Sequence, residues 1–164
     1  MIPAITLDEL VTWNCQSADW WKAHLDSNPA LLVLPCGIGG NIDVQAFVRH
    51  IWGAELVWSQ ILAGLPVTDY DVWPKGPMNS LFDLHLAAVE NFRALLGNPN
   101  TRWDERSVHY PWRPPELPMP TPRKALAHVL FHSQRHWAQV ATLVRTGGFP
   151  SGFKGDLLFS SALV

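Results

Sequence analysis

The chain has 164 residues, of which 48% are hydrophobic and 16% are charged, and its formal net charge is −2. This balance excludes a disordered chain and predicts one domain over residues 1–164, with enough apolar material for one core. No run of Lys and Arg marks a nucleic-acid footprint, and no apolar run approaches the roughly 18 residues of a membrane span, so we expect neither nucleic acid nor a membrane as partner.

The two cysteines, Cys15 and Cys36, lack the spacing of a metal or redox motif. The first residues show neither the basic n-region nor the apolar h-region of a secretory signal. We therefore expect reduced thiols and a cytoplasmic protein. Cys36 lies in the sequence PCGIGG and is a candidate nucleophile, but a glycine-rich loop ahead of a helix is the simpler interpretation.

Two amphipathic helices are predicted in the first half of the chain. The first covers about residues 6–25 and begins with a capping box, in which the Thr6 hydroxyl accepts an early backbone N–H and Glu9 reaches back. The second covers about residues 43–63, with Asp43 as its N-cap. Apolar residues recur along both at the helical spacing.

Two further helices are predicted in the second half. The third covers about residues 81–96, with Ser80 as its cap. The fourth covers about residues 122–146 and begins with Thr121 as N-cap and Pro122 at the first helical position, where the missing N–H costs nothing. Four amphipathic helices bury their apolar stripes most simply as an all-α four-helix bundle.

The connections at residues 28–42, 65–79 and 97–120 are rich in Pro and Gly. Because they are long for adjacent antiparallel helices, we expect at least one of them to cross an end of the bundle. A short strand at residues 107–110 is the one β element expected between the third and fourth helices. The apolar residues of the tail, 147–164, predict that it packs onto the bundle.

The fourth helix carries three histidines at intervals of four, His128, His132 and His136. Residues four apart lie about 40° and one turn apart, so two imidazoles can meet at one ion, whereas residues eight apart are separated by about 12 Å. Two pairs, 128/132 and 132/136, are therefore candidates. The apolar stripe of this helix favours the second pair, because His132 and His136 lie in the stripe and His128 lies beside it. That stripe runs through Ala125, Val129, His132, His136, Val140 and Leu143.

Two histidines within an apolar stripe need polar partners, because burying an unpaired polar group is costly. A metal ion would serve both, with neutral imidazole as its ligand. The alternative is a pair of core histidines hydrogen-bonded to neighbouring polar groups. A third ligand would come from another helix, where His24, His50 and His85 are all candidates that spacing does not separate.

The second and fourth helices resemble the DinB/YfiT-like superfamily of metal-dependent enzymes. Residues 49–58, RHIWGAELVW, look like its second-helix pattern of a His followed by Glu and Trp. Residues 128–139, HVLFHSQRHWAQ, followed by LVRTGG at 143–148, look like its last-helix pattern. The similarity extends over about residues 5–150. Ser133 stands where the family often has Glu.

The resemblance implies a bundle of unusual handedness with a crossover connection, and a mononuclear divalent metal held by His50, His132 and His136. Water or substrate would fill the open positions, as in a catalytic site. Zinc or nickel is the expected metal, with iron or manganese as alternatives. The family often has Arg-Gly after the last histidine, and residues 137–138 are Trp-Ala here, so that end of the pocket differs.

The family members with an assigned activity use low-molecular-weight thiols such as bacillithiol or mycothiol. The resemblance therefore implies a thiol S-transferase type of reaction, or hydrolysis, on a small-molecule substrate; no catalytic residue is assigned. A homodimer is also expected, because nine tryptophans exceed what one small core readily hides.

The alternative is a non-catalytic dimeric metal-binding bundle with a binding or structural role. A fourth ligand from His85 or His24 would favour that alternative, because structural sites are saturated by protein ligands. A di-iron carboxylate bundle is disfavoured, since the sequence contains no Glu-x-x-His.

Overall fold

The computed structural model describes residues 5–162, so residues 1–4 and 163–164 of the predicted domain and tail lie outside it. Four α-helices account for most of this range: α1 (Leu7–Ser27), α2 (Val44–Ala63), α3 (Met78–Gly97) and α4 (Pro122–Thr146). Single 3₁₀ turns occur at Pro29–Leu31, Tyr70–Val72 and Leu157–Phe159. None of the helices described is long and apolar enough to cross a bilayer. The predicted all-α four-helix bundle is confirmed.

The four helices bury a common apolar core to which each contributes. Helix α2 packs against α3 and α4, and α1 also packs against α3 and α4. Helices α1 and α2 therefore lie diagonally opposite each other, and so do α3 and α4. The connections at 28–43 and 98–121 join these diagonal positions, which explains their length and confirms the predicted crossover.

Local capping chemistry sets the start of α1, α2 and α4. The Thr6 hydroxyl accepts from the backbone N–H of Glu9, whose carboxylate accepts from the backbone N–H of Thr6 at 2.6 Å. The Asp43 carboxylate accepts from the Ala46 N–H at 2.8 Å, and the Thr121 hydroxyl caps α4 in the same way. Each cap satisfies a backbone donor that has no partner inside the helix.

The predicted cap of α3 is wrong. The helix begins at Met78 with Pro77 as its N-cap, and Ser80 lies inside the first turn. Met78 is only 6% exposed and packs in the core. Burial of this side chain extends the helix by a turn that no local capping residue marks.

The strand predicted at residues 107–110 does not form, and the described residues contain no named strand. The Val108 N–H donates to the Pro120 carbonyl, but this contact does not extend into a ladder. Pro111, directly after this segment, and Pro118 and Pro120, in the segment it contacts, lack the N–H donors that a ladder needs. An isolated bridge between Pro35 and Asp43, in another connection, is the one β contact of residues 5–162.

The tail packs onto the bundle over most of its described length, as predicted. Phe149, Phe153 and Leu157 pack against the core, while the Trp13 indole donates to the Gly155 carbonyl at 2.9 Å. Leu158, by contrast, is 88% exposed. Beyond this exposed residue the tail returns to the bundle: Ala162 packs against the core, and Ser160 and Ser161 form hydrogen bonds with Gln16 of α1.

One core accommodates most of the tryptophans. Trp112 is 55% exposed, whereas the others are buried or packed partly buried against the core. The buried ones are Trp13, Trp21, Trp52, Trp73 and Trp137, and the partly buried ones are Trp20, Trp58 and Trp103. The tryptophan count is therefore no longer a reason to expect a second subunit, and the homodimer stays a prediction.

Candidate metal centre

Three histidines from α2 and α4 converge at one place. His50, His132 and His136 each offer a ring nitrogen, and these nitrogens lie within 4.8 Å of one another. The Nε2 atoms of His132 and His136 are 3.0 Å apart, and the His50 ring centroid lies 5.4 and 5.3 Å from the centroids of those two rings. The packing of α2 against α4 creates this cluster, because neither helix carries all three residues.

The geometry fits a shared ion. Two nitrogen ligands about 2.0–2.1 Å from a tetrahedral metal lie roughly 3.3 Å from each other, close to the separation of His132 and His136. Imidazole is a favoured ligand of zinc, nickel, copper and iron. The cluster can therefore hold a metal ion by its donor chemistry as well as by its spacing.

The second ring nitrogen of His136 has a fixed partner. Its Nδ1–H donates to the Gln139 side-chain oxygen at 2.5 Å, which leaves the lone pair on Nε2, directed into the cluster. The Nδ1 of His132 is buried and has no hydrogen-bond partner in the described part of the chain. His132 is thus oriented by packing and by its Nε2 contact with His136, and His136 is oriented by packing and Gln139.

All three imidazoles are neutral at neutral pH. Burial, followed by the charges of His136, His50 and Arg135, lowers the pKa of His132 to about 3. Burial also lowers the pKa of His50 and, against the opposing hydrogen bond with Gln139, that of His136. Neutral imidazole is the form that binds a metal, so metal binding does not first require an imidazolium to lose its proton to solvent.

The buried stripe of α4 differs from the predicted one at two positions. His136 is buried, but His132 and Leu143 are only partly buried, and Ser133 takes the buried position beside His132. The Ser133 hydroxyl donates to the Glu55 carboxylate at 2.6 Å, which accounts for a polar residue at the centre of the bundle. His132 consequently stands at the edge of the core, where its ring reaches a surface cleft.

His85, one of the three candidates for the third ligand, belongs to a separate polar network. Its Nδ1–H donates to the Glu55 carboxylate at 2.5 Å, and Asn14 and Ser133 donate to the same carboxylate. Burial opposes the imidazolium charge, but attraction to Glu55 and contact with Cys15 outweigh it and raise the pKa of His85 to about 10. A charged, paired His85 is not available as a ligand.

The Glu55 network was missed in the sequence, although it takes one residue from each helix. A carboxylate within the apolar face of α2, five residues after His50, was the available signal.

His24, the other candidate, stacks on Trp20 with ring centroids 4.7 Å apart. Of the three candidates, the structure therefore brings His50 to the pair on α4.

A cleft of about 510 Å³ opens beside the histidine cluster. His50 and His132 line it, and so does His128, whose ring centroid lies 6.2 Å from that of His132. This volume lies within the usual range of small-molecule sites, about 300–1,000 Å³. Two of the three imidazoles thus face a space that a small molecule can enter.

Both cysteines are free thiols. Burial raises the pKa of Cys36, and the Asp43 charge adds to this against a hydrogen bond from the Ile38 N–H. A raised pKa reduces the thiolate fraction that a nucleophile requires. The environment of Cys36 therefore favours the loop interpretation over nucleophilic catalysis.

Comparison of the sequence with models of known families and with curated proteins gives no match. Fold and site together define a four-helix bundle with a three-histidine cluster, from α2 and α4, that can bind a metal ion.

Proposed function

We propose that the protein is a metal-dependent enzyme of the DinB/YfiT-like superfamily. His50, His132 and His136 would hold one divalent ion, zinc or nickel in the first place, for chemistry on a small molecule. The observation that carries the proposal is the convergence of three imidazole nitrogens at the wall of a cleft. Perturbed titratable groups beside a cavity are typical of functional sites.

A divalent ion with three neutral ligands supplies a nucleophile near neutral pH by lowering the pKa of a bound thiol or water. Addition of a low-molecular-weight thiol to an electrophile, or hydrolysis, follows from this chemistry. The chain contributes neutral donors, with Gln139 orienting His136. The apolar side chains of the cleft, such as Val57 and Trp58, reduce the water around the reacting groups.

Two observations support a catalytic site over a purely structural one. The cluster has three protein ligands within the described residues, which leaves a coordination position for water or substrate. His85 and His24, which could have completed a saturated site, are held in other contacts. A non-catalytic metal-binding bundle would have no need of a cleft beside its ligands.

The test compares turnover with and without the ligands. Protein purified without an affinity tag would be loaded with zinc or nickel and given a thiol with a panel of electrophiles and hydrolysable esters. We expect turnover for the loaded protein and none for His50→Ala, His132→Ala or His136→Ala, each with unchanged helical circular dichroism. Cys36→Ala should retain its activity. Equal rates for the loaded protein and His136→Ala would contradict the proposal and favour the non-catalytic bundle.

A further inference from the structure

The cleft beside the histidines, called here the inner lobe, continues into a second cavity. This outer lobe has a volume of about 430 Å³. Trp58, Trp112 and His128 line both lobes, so the two adjoin each other through shared walls. A molecule with one end at the imidazoles of His50 and His132 can therefore extend into the outer lobe.

The walls of the outer lobe are flat and aromatic. Trp58, Tyr110 and Trp112 form one cluster, with ring centroids 5.1 Å apart for Trp58 and Tyr110 and 5.7 Å apart for Trp58 and Trp112. Trp112 is 55% exposed, unlike the tryptophans that fill the core. Packing of the bundle does not account for an aromatic side chain at this exposed position, whereas stacking on a planar ligand does.

The outer lobe is also electropositive at one end. Lys124 lines it in the first turn of α4, a helix of 25 residues, and no carboxylate is among the described residues that line this lobe. Lys124 has no ion-pair partner within residues 5–162. The ammonium group and the positive end of the helix dipole both favour an anionic group here.

The wall of the inner lobe formed by residues 67–73 is anchored to α2. Arg49 donates from Nε to the Pro74 carbonyl at 2.9 Å and from Nη2 to the Trp73 carbonyl at 3.1 Å. Trp73 lies so close to Gly53 that a Cβ there would be 1.9 Å from the indole ring. These contacts hold Trp73 in place, so the lobe is formed before any ligand enters.

We infer that the substrate of this site is an elongated small molecule with a planar, unsaturated apolar body and a terminal anionic group. Its reacting end lies at the histidine cluster and its anion faces Lys124. Its planar body stacks on the Trp112 indole and meets the Trp58 indole edge to face, because the planes of the two indoles are 82° apart. The inference rests on the proposed function for the reacting end. The recognition of the planar anionic part is a property of the outer lobe alone, so it can be tested separately.

The probe is 2-naphthoate, titrated by calorimetry into the protein as purified and again after removal of metal by a chelator. Metal-free protein is included because an ion could capture the carboxylate. Decahydro-2-naphthoate keeps the charge without the planar ring, and 2-naphthamide keeps the ring without the charge. We expect 2-naphthoate to bind metal-free protein roughly tenfold more tightly than the saturated analogue, and roughly threefold more tightly than the amide at low salt.

Variants of Trp112 and Lys124 test whether these residues cause the selectivity for a planar anion. Trp112→Ala should weaken 2-naphthoate binding roughly tenfold, while Trp112→Phe should keep most of the affinity. Lys124→Gln should weaken the naphthoate and leave the amide unchanged. Phe159→Ala and Lys154→Gln are matched controls, because Phe159 is 59% exposed and neither residue lines the two lobes. Both controls should bind like the parent protein.

The two proposals can fail independently. Equal binding of all three probes, or binding that survives both Trp112→Ala and Lys124→Gln, would overturn the substrate inference even in a protein that holds one metal per chain. Lack of metal in every preparation would overturn the proposed function. Selective binding of 2-naphthoate by the metal-free protein would still support the outer lobe as a site for planar anions.

Discussion

The Nε2 atoms of His132 and His136 lie 3.0 Å apart although the two residues are separated by a full turn of α4. Without an ion, this contact requires a proton on one of the two nitrogens. Because His136 already donates from Nδ1 to Gln139, the neutral tautomers assign that proton to His132. An ion would replace this hydrogen bond once the His132 proton moves from Nε2 to Nδ1, which has no other partner among the described residues, so that both Nε2 lone pairs and His50 can bind the ion.

Metal stoichiometry should show which of the two histidine pairs on α4, 128/132 or 132/136, binds the ion. We expect His128→Ala to retain about one metal per chain, because the nitrogens that lie together belong to His50, His132 and His136. His136→Ala should lose it, since only two imidazoles remain. Elemental analysis of tag-free protein measures both. Metal loss in His128→Ala would contradict this assignment, and loss in His128→Ala with retention in His136→Ala would mean that the 128/132 pair holds the ion.

Gln139 should contribute to metal affinity without touching the ion. Its side-chain oxygen fixes the His136 ring and increases the basicity of Nε2. Removing such a partner typically weakens metal binding about 10- to 100-fold, so Gln139→Ala should do so in competition with a chromogenic chelator. Thr142→Ala, an exposed position on the same helix, should bind metal normally. Unchanged affinity in Gln139→Ala would show that packing alone orients the ring.

The Glu55–His85 pair should be a principal determinant of stability. Glu55 is fully buried and His85 is 1% exposed, so His85→Ala would leave a buried carboxylate without its counter-charge. Removing one partner of such a pair costs about 3–5 kcal/mol of the free energy of unfolding. Urea denaturation measures this loss, with the exposed His109→Ala as control. A loss below about 1 kcal/mol would contradict a charged pair.

The same pair predicts a loss of stability in alkaline solution. The pKa of His85 is raised from its ordinary value of 6.5 to about 10, so the folded protein holds this proton more tightly than the unfolded chain. The resulting stabilisation is complete below pH 6.5 and is lost as the pH rises through 10. Unfolding free energies measured between pH 6 and 10 should therefore decline less in His85→Gln than in the parent. Parallel declines would refute the raised pKa.

Gly53 should be required for the wall of the inner lobe. A Cβ at this position would collide with the Trp73 indole, so Gly53→Ala should displace the ring. Overpacking of this kind typically destabilises a protein by about 1–3 kcal/mol. Gly97→Ala, also in a helix, is the matched control, because its Cβ would meet open space. Thermal unfolding compares the two, and equal midpoints would show that Trp73 moves aside at no cost.

A homodimer remains the prediction for the assembly. Sedimentation equilibrium at micromolar concentration should return twice the chain mass of 18.4 kDa. A mass near that of one chain would contradict it. The number of tryptophans does not support this prediction, because one core accommodates all of them except Trp112.

Local interactions made much of the secondary structure predictable. The starts of α1, α2 and α4 depend on Thr6, Asp43 and Thr121, whose side chains accept from backbone N–H groups three residues later. Helices α1, α2 and α4 were therefore located almost to the residue. The start of α3 and the irregular path of residues 107–110 were not, because burial of Met78 and a single contact to Pro120 decide them.

The sequence by itself determined that His132 can share an ion with one neighbour on α4, since a single helix has fixed geometry. Only the tertiary structure decided that His50 joins the pair while His85 turns to Glu55. The physical reason is that periodicity gives the angle of a side chain about its own helix. It does not give the rotation and height of the neighbouring helix, which follow from the packing of the whole core. In this bundle α1 lies diagonally opposite α2, and α3 lies diagonally opposite α4.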